Sequence, residues 1–65
     1  MSKITPKQKE VLELISKGYS NRQIAIVLEN SEHTINAIRK TLIKKYPVIN
    51  SAHLVAYAIR MGIID

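Results

Sequence analysis

The sequence predicts an all-α domain of four short helices. Apolar residues recur at helical spacing, no segment alternates like an amphipathic strand, and each helical segment opens with a capping signal. Because the chain has 65 residues, we expect one domain spanning residues 1–65. It contains no cysteine, so no disulfide or thiolate metal site can stabilise it. Packing between helices must therefore supply the stability.

The first two helices each begin with a capping box. Thr5 and Ser20 are the expected N-caps, and a glutamine stands three residues after each of them. Pro6 suits the first position of helix one, and Gly18 is expected to end that helix. The expected core residues of the two helices are Val11, Leu12, Ile15, Ile24, Val27 and Leu28.

Helix three is expected to begin after Ser31 and to end at Lys45 or Tyr46, because the residue before Pro47 disfavours helical geometry. Only residues 29–31 separate it from helix two, and a short turn between helices of a small bundle is the helix-turn-helix pattern. One side of helix three spans about 60° and forms a core stripe. The stripe comprises Ile35, Ile38, Leu42 and Tyr46.

The opposite side of helix three is basic and has no acid. Its members are His33, Ala37, Lys40 and Lys44. The major groove of DNA admits an α-helix, in which Asn pairs with adenine, Lys pairs with guanine and a small residue allows close approach. We therefore expect Asn36, Ala37 and Lys40 to contact bases. Lys44 and Lys45 are expected to contact phosphates. The alternative is an ordinary solvated face, since lysine near a helix C-terminus also favours the helix dipole.

The start of helix two can supply further contacts with phosphate. Ser20, Asn21 and Arg22 stand together there, where free backbone N–H groups attract anions. The alternative role is capping, which Ser20 or Asn21 must perform.

Helix four is apolar on two faces, although the surface helix of a monomer should be half polar. One face is expected to lie in the core and comprises Leu54, Tyr57, Ala58 and Met61. The second face comprises Ala52, Val55, Ala56 and Ile59. We expect this second face to form a homodimer, because two-fold symmetry would present two copies of helix three to successive major grooves. The alternative is a helix buried deep in its own fold.

The net charge of +5 lies mainly in the second half of the chain. Five cations and four acids give +1 for residues 1–32, and five cations and one acid give +4 for residues 33–65. A basic half suggests nucleic acid or an acidic membrane surface as partner, or simply lysine-rich helix faces.

Several classes of protein are excluded by what the sequence lacks. No apolar run approaches the roughly 20 residues that span a bilayer, and the first residues lack the apolar core of a signal peptide. We therefore expect a cytoplasmic protein with no membrane partner. No nucleophile–base pair, metal cluster or glycine-rich phosphate loop is evident, so we expect neither an enzyme nor a cofactor.

The order of short motifs along the chain resembles the LuxR/GerE-type DNA-binding domain. These motifs are T-P, E-V-L, G-x-S-N-x-x-I-A, S-x-x-T-I and L-V-x-Y-A, and the resemblance covers essentially the whole chain. It implies a four-helix domain of bacterial transcription regulators, with helix three in the major groove and helix four at a dimer interface. It assigns base contacts to Asn36, Ala37 and Lys40. Phosphate contacts are assigned to Ser20, Asn21, Arg22, Thr34 and Lys44.

Six residues depart from the family's usual pattern. Four replace a usual residue: Asn36 in place of Lys, Ile38 in place of His, Pro47 in place of Gly and Ser51 in place of Arg. Asn30 stands at a usually apolar position, and Ile26 is an unusual apolar residue pointing away from the core of helix two. Family members normally carry a receiver or ligand-sensing domain, and this chain resembles the stand-alone members instead. Signal input would then come through abundance or a partner. We expect a sequence-specific DNA-binding transcriptional regulator that acts as a homodimer. The alternative is a protein-interaction module of the same fold, which pairs with another regulator and has lost specific DNA recognition.

Overall fold

The computed structural model describes residues 4–65 and contains four α-helices. They are α1 (Pro6–Ser16), α2 (Asn21–Val27), α3 (Glu32–Lys45) and α4 (Ser51–Arg60). No strand occurs in residues 4–65, which confirms the predicted all-α class. Across the same residues, no helix combines the length and apolar character needed to cross a bilayer. Residues 1–3 of the predicted domain lie outside the described part of the chain.

Both predicted capping boxes are present. The N–H of Gln8 donates to Thr5 Oγ1 at 3.1 Å, and the N–H of Thr5 donates to Gln8 Oε1 at 3.0 Å. The same pair of bonds joins Ser20 and Gln23 at 3.1 and 2.9 Å. Because the first turn of a helix leaves its N–H groups without intrahelical partners, these side chains fix where α1 and α2 begin.

α3 packs against each of the other three helices. Ser31 caps its start by accepting a hydrogen bond from the N–H of Thr34 at 3.1 Å. Tyr46 has an extended backbone before Pro47, and α3 ends there as the sequence predicts.

The core consists of two apolar clusters that α3 joins. One cluster lies among α1, α2 and α3 and comprises Val11, Ile24, Ala25 and Ile35. The other includes residues of α1, α3 and α4 and comprises Leu12, Leu42, Val48, Leu54, Ala58 and Ile64. Half-buried Ile38 packs against both clusters, as its place on the predicted core stripe requires.

Two apolar residues lie outside the faces predicted for them. Val27 is 52% exposed, because the buried side of α2 centres on Ile24 and Ala25. Met61 is 59% exposed, because α4 ends at Arg60 and Met61 is its C-cap.

In the turn between α2 and α3, one residue other than glycine adopts the left-handed backbone conformation. Glu29 has a φ of 55°. The backbone N–H of Asn30 then donates to the carbonyl oxygen of Ala25 at 2.8 Å, and its side-chain Nδ2 donates to that of Leu28 at 2.7 Å. These bonds satisfy carbonyl groups near the end of α2 and let α3 follow after a short turn.

Candidate nucleic-acid interface

One side of α3 faces solvent along its length. The residues of this surface, called here the α3 strip, are His33, Ala37, Lys40 and Lys44, and all four are exposed. The single acid of α3 is Glu32, in its first turn. The strip therefore offers a small residue near its centre and two lysines toward its C-terminal end, with no carboxylate among its members.

Asn36 lies beside the α3 strip, on the side nearest α2. It is half-buried, and its Oδ1 accepts a hydrogen bond of 3.5 Å from Nδ2 of Asn21, the first residue of α2. Oδ1 of Asn21 is buried and has no hydrogen-bond partner among the described residues. The side chain of Asn21 is thus turned toward α3, a placement that its expected contact with phosphate did not anticipate.

The remaining residues expected to contact phosphate divide into two groups. Arg22 and Lys44 are exposed cations. Ser20 and Thr34 already take part in capping: Ser20 caps α2, and the hydroxyl of Thr34 lies 2.9 Å from that of Ser31. A hydroxyl keeps further donor and acceptor capacity when it forms one such bond.

Two cations of α3 lie away from the α3 strip. Nη1 of Arg39 donates to Ser51 Oγ at 2.7 Å, across the contact between α3 and α4. Nζ of Lys45 donates to Oε1 of Gln8 at 3.1 Å, so Lys45 does not accompany Lys44 as the sequence led us to expect. Arg39 is partly buried, and this burial lowers the pKa of its guanidinium.

The contact between Arg39 and Ser51 was not predicted from the sequence, although the sequence contains one indication of it. Arg39 lies about 60° around the helix axis from Leu42, next to the core stripe and not opposite it. A serine at the matching end of α4 could not be identified from periodicity alone, because the crossing of two helices is a tertiary property.

The second apolar face of α4, called here the α4 stripe, comprises Ala52, Val55, Ala56 and Ile59. Ala52 and Ala56 are exposed, and Ile59 is 50% exposed. Val55 is half-buried and packs against the larger core cluster. The α4 stripe therefore offers three accessible positions and one that already belongs to the fold.

A separate apolar surface lies where α1 meets α2. A groove of about 190 Å³ is lined there by Glu10, Glu13, Leu14, Lys17, Val27 and Leu28. Ile26, next to Val27, is 69% exposed. Residues 4–65 contain no group of three or more His, Cys, Asp or Glu side chains placed to hold a metal ion.

Known proteins similar to this chain include regulatory proteins of bacteria. The sequence profile of the family described as bacterial regulatory proteins, luxR family, matches residues 2–58. The chain is 34% identical over 62 residues to an uncharacterized response regulatory protein, YgeK, of Escherichia coli, and 38% identical over 62 residues to the transcriptional regulatory protein MctR of Rhizobium johnstonii. It is 34% identical over 61 residues to the HTH-type quorum-sensing regulator RhlR of Pseudomonas aeruginosa. These matches cover 94–95% of the chain but only 42%, 29% and 25% of the three proteins respectively.

Proposed function

Because the chain belongs to the luxR family of bacterial regulatory proteins, we propose that it is a sequence-specific, DNA-binding regulator of transcription. The observation that carries this proposal is the α3 strip, an exposed helix face with two lysines and no carboxylate. In the proposed complex α3 enters the major groove of double-stranded DNA. Asn36, Ala37 and Lys40 then lie against base edges. The proposal treats residues 1–65 as one cytoplasmic DNA-binding domain with neither enzymatic activity nor a cofactor.

Contacts with the sugar–phosphate backbone position α3 in the groove. Arg22 and Lys44 supply charge, and their exposure supports this role. Ser20 and Thr34 supply hydroxyl groups near the starts of α2 and α3, where backbone N–H groups also favour anions. Asn21 stands at the same edge of α2, but its amide is directed to Asn36.

The regulator acts as a homodimer through the α4 stripe. The exposure of Ala52, Ala56 and Ile59 supports this interface, since small residues allow two helices to approach closely. A two-fold axis through α4 would place two copies of α3 in major grooves about 34 Å apart, one turn of DNA.

The salt dependence of DNA binding tests the proposal. Arg22 and Lys44 of both subunits would neutralise about four phosphates, so the logarithm of the association constant should fall with the logarithm of salt concentration with a slope near −4. The measurement is a titration of labelled duplex DNA at several salt concentrations. A weak response that does not change with salt would contradict DNA binding.

Single substitutions separate phosphate contacts from base contacts. Lys44→Glu should lower affinity for all sequences about equally and bring the slope to about −2, since two phosphate contacts are lost per dimer. Lys40→Ala should remove preference at one base pair, at a cost of roughly 1–3 kcal/mol. Lys9→Glu is the matched control: it reverses the same charge at an exposed position of α1 and should change the slope little.

The second candidate function is a protein-interaction module that pairs with another regulator. The exposure of Ile26 and the apolar groove between α1 and α2 favour it, because neither surface is needed for α3 to enter DNA. On this alternative, the salt titration gives no DNA binding, while the chain forms a stable complex with a luxR-family regulator.

A further inference from the structure

We infer that Asn21 is a positioning residue for base recognition, which holds the acceptor end of the Asn36 amide so that Asn36 selects guanine over adenine. This inference rests on the proposed function, because it concerns which base Asn36 contacts in the major groove. It goes beyond that function by assigning a preference at one base pair and a role to a residue of α2.

The geometry leaves the two ends of the Asn36 amide in different surroundings. Its Oδ1 is turned inward and accepts a hydrogen bond of 3.5 Å from Nδ2 of Asn21. Its Nδ2 has no hydrogen-bond partner among the described residues. It is also not buried, because the buried polar side-chain atoms without a partner in that part of the chain are Oδ1 of Asn21 and Nε of Arg39. The donor end of Asn36 is therefore accessible at the edge of the α3 strip, while one lone pair of the acceptor end is engaged by Asn21.

The unpartnered oxygen of Asn21 indicates that this residue does more than fill space. Oδ1 of Asn21 is buried without a hydrogen-bond partner among the described residues, which destabilises a fold. An apolar side chain of similar size would avoid that cost. The amide at position 21 instead supplies the Nδ2 group that holds Asn36.

The hydrogen-bonding groups on the base edges make this orientation of Asn36 favour one base over another. An unconstrained Asn pairs with adenine through two bonds, donating from Nδ2 to N7 and accepting at Oδ1 from N6. Asn21 engages one lone pair of Oδ1 of Asn36 and holds that oxygen on the side of α2, so the bond from N6 of adenine is disfavoured. Guanine presents two acceptors, N7 and O6, and one amide NH₂ group carries two hydrogens to donate to them. Asn36 should therefore prefer guanine.

The test compares the DNA sequences selected from a random pool by the full chain and its variants. Asn36→Ala identifies the base pair at which Asn36 acts, because preference there is lost. At that pair the unsubstituted chain should favour guanine over adenine by about tenfold. Asn21→Asp should reverse the preference toward adenine or cytosine, since a carboxylate only accepts and would turn Nδ2 of Asn36 inward. Asn21→Ala should free the amide and restore pairing with adenine.

Gln23→Glu is the matched control for the added charge. It places a carboxylate in the same turn of α2 and keeps the capping box, which accepts either residue. It should weaken binding to all sequences and leave the preference at the Asn36 base pair unchanged. A merely structural role for Asn21 would lower thermal stability without moving that preference, and an unchanged preference in both Asn21 variants overturns the inference.

A measurement on the free protein separates the inference from DNA binding itself. The side-chain amide signals of Asn36 in a ¹⁵N-correlated NMR spectrum should shift in Asn21→Ala and remain in place in Gln23→Glu. Unchanged signals in Asn21→Ala would overturn the pairing of the two amides even if the protein binds DNA. If these signals shift but the protein does not bind DNA, the proposed function is overturned. The base preference is then overturned as well, whereas the pairing of the two amides stands.

Discussion

Glu29 occupies a backbone conformation that its residue type disfavours. Its φ of 55° places it in the left-handed region, where Cβ lies close to the following carbonyl oxygen in any L-residue with a side chain. The short turn between α2 and α3 needs this geometry, because the hydrogen bonds of Asn30 close only when the chain reverses there. The strain at one residue thus maintains the relative placement of the two helices that form the proposed DNA-binding surface.

Glu29→Gly should stabilise the protein by about 1 kcal/mol, because glycine adopts the left-handed conformation without strain. The gain is smaller than the full strain, since glycine also increases the entropy of the unfolded chain. The free energy of unfolding in urea measures the change. Glu29→Ala is the control: it removes the carboxylate but keeps Cβ, so it should give little of the gain. Equal effects of the two substitutions would show that charge, not backbone strain, is responsible.

At the scale of helices, α3 and α4 are held together by polar and aromatic contacts in addition to the core. Arg39 donates to Ser51 at 2.7 Å, and the rings of Tyr46 and Tyr57 lie 5.5 Å apart between centroids. Nε of Arg39 is buried without a partner among the described residues, so the bond to Ser51 is one of few that satisfy this guanidinium. The angle between the proposed recognition helix and the proposed dimer helix depends on this contact.

Ser51→Ala should destabilise the protein by about 1–2 kcal/mol, because it removes a partner from a partly buried cation. Asn50 and not Ser51 caps α4, so the substitution does not remove the cap. Thr41→Ala is the control, since it deletes a hydroxyl that is exposed and bonds only to the backbone of its own helix at 2.9 Å. Chemical denaturation of both variants checks the prediction. A loss from Thr41→Ala as large as that from Ser51→Ala would contradict it.

At the scale of the whole molecule, the domain is too small to cover all of its apolar surface. A chain of this size buries only about 60% of the surface that it exposes when unfolded. The α4 stripe exposes apolar side chains to solvent, and Ile59 remains 50% exposed. A second copy packed across this stripe would cover that surface and create the two-fold arrangement that paired DNA half-sites require.

Ile59→Glu should convert the proposed dimer to a monomer, because it would bring two carboxylates together in an apolar interface. Sedimentation of the variant measures its mass. Met61→Glu is the matched control: Met61 is exposed to 59% but is the C-cap of α4 and lies outside the stripe, so this variant should remain dimeric. Dimers in the Ile59 variant would contradict the α4 interface. Ile59 is a better position than Val55 for testing the interface, because Val55 also packs against the core.

Most of the fold could be predicted because its signals are local. Thr5, Ser20 and Ser31 each form their caps with residues three positions away, and a distance of three residues is visible in the sequence. The exposure of the α3 strip followed in the same way from helical periodicity. Val27 was assigned to the wrong face because α2 has only seven residues, too few for an apolar pattern to define a side.

The sequence by itself determined where the first three helices begin, the all-α class and which side of α3 is basic. Capping, proline geometry and helical spacing act within a few residues of one another, so they do not depend on the rest of the molecule. The tertiary structure alone decided which polar groups meet between helices. It brought Asn21 to Asn36, 15 residues apart, and Arg39 to Ser51, 12 residues apart. Such contacts depend on the packing of α3 against its neighbours, and they set how the proposed DNA-binding residues are presented.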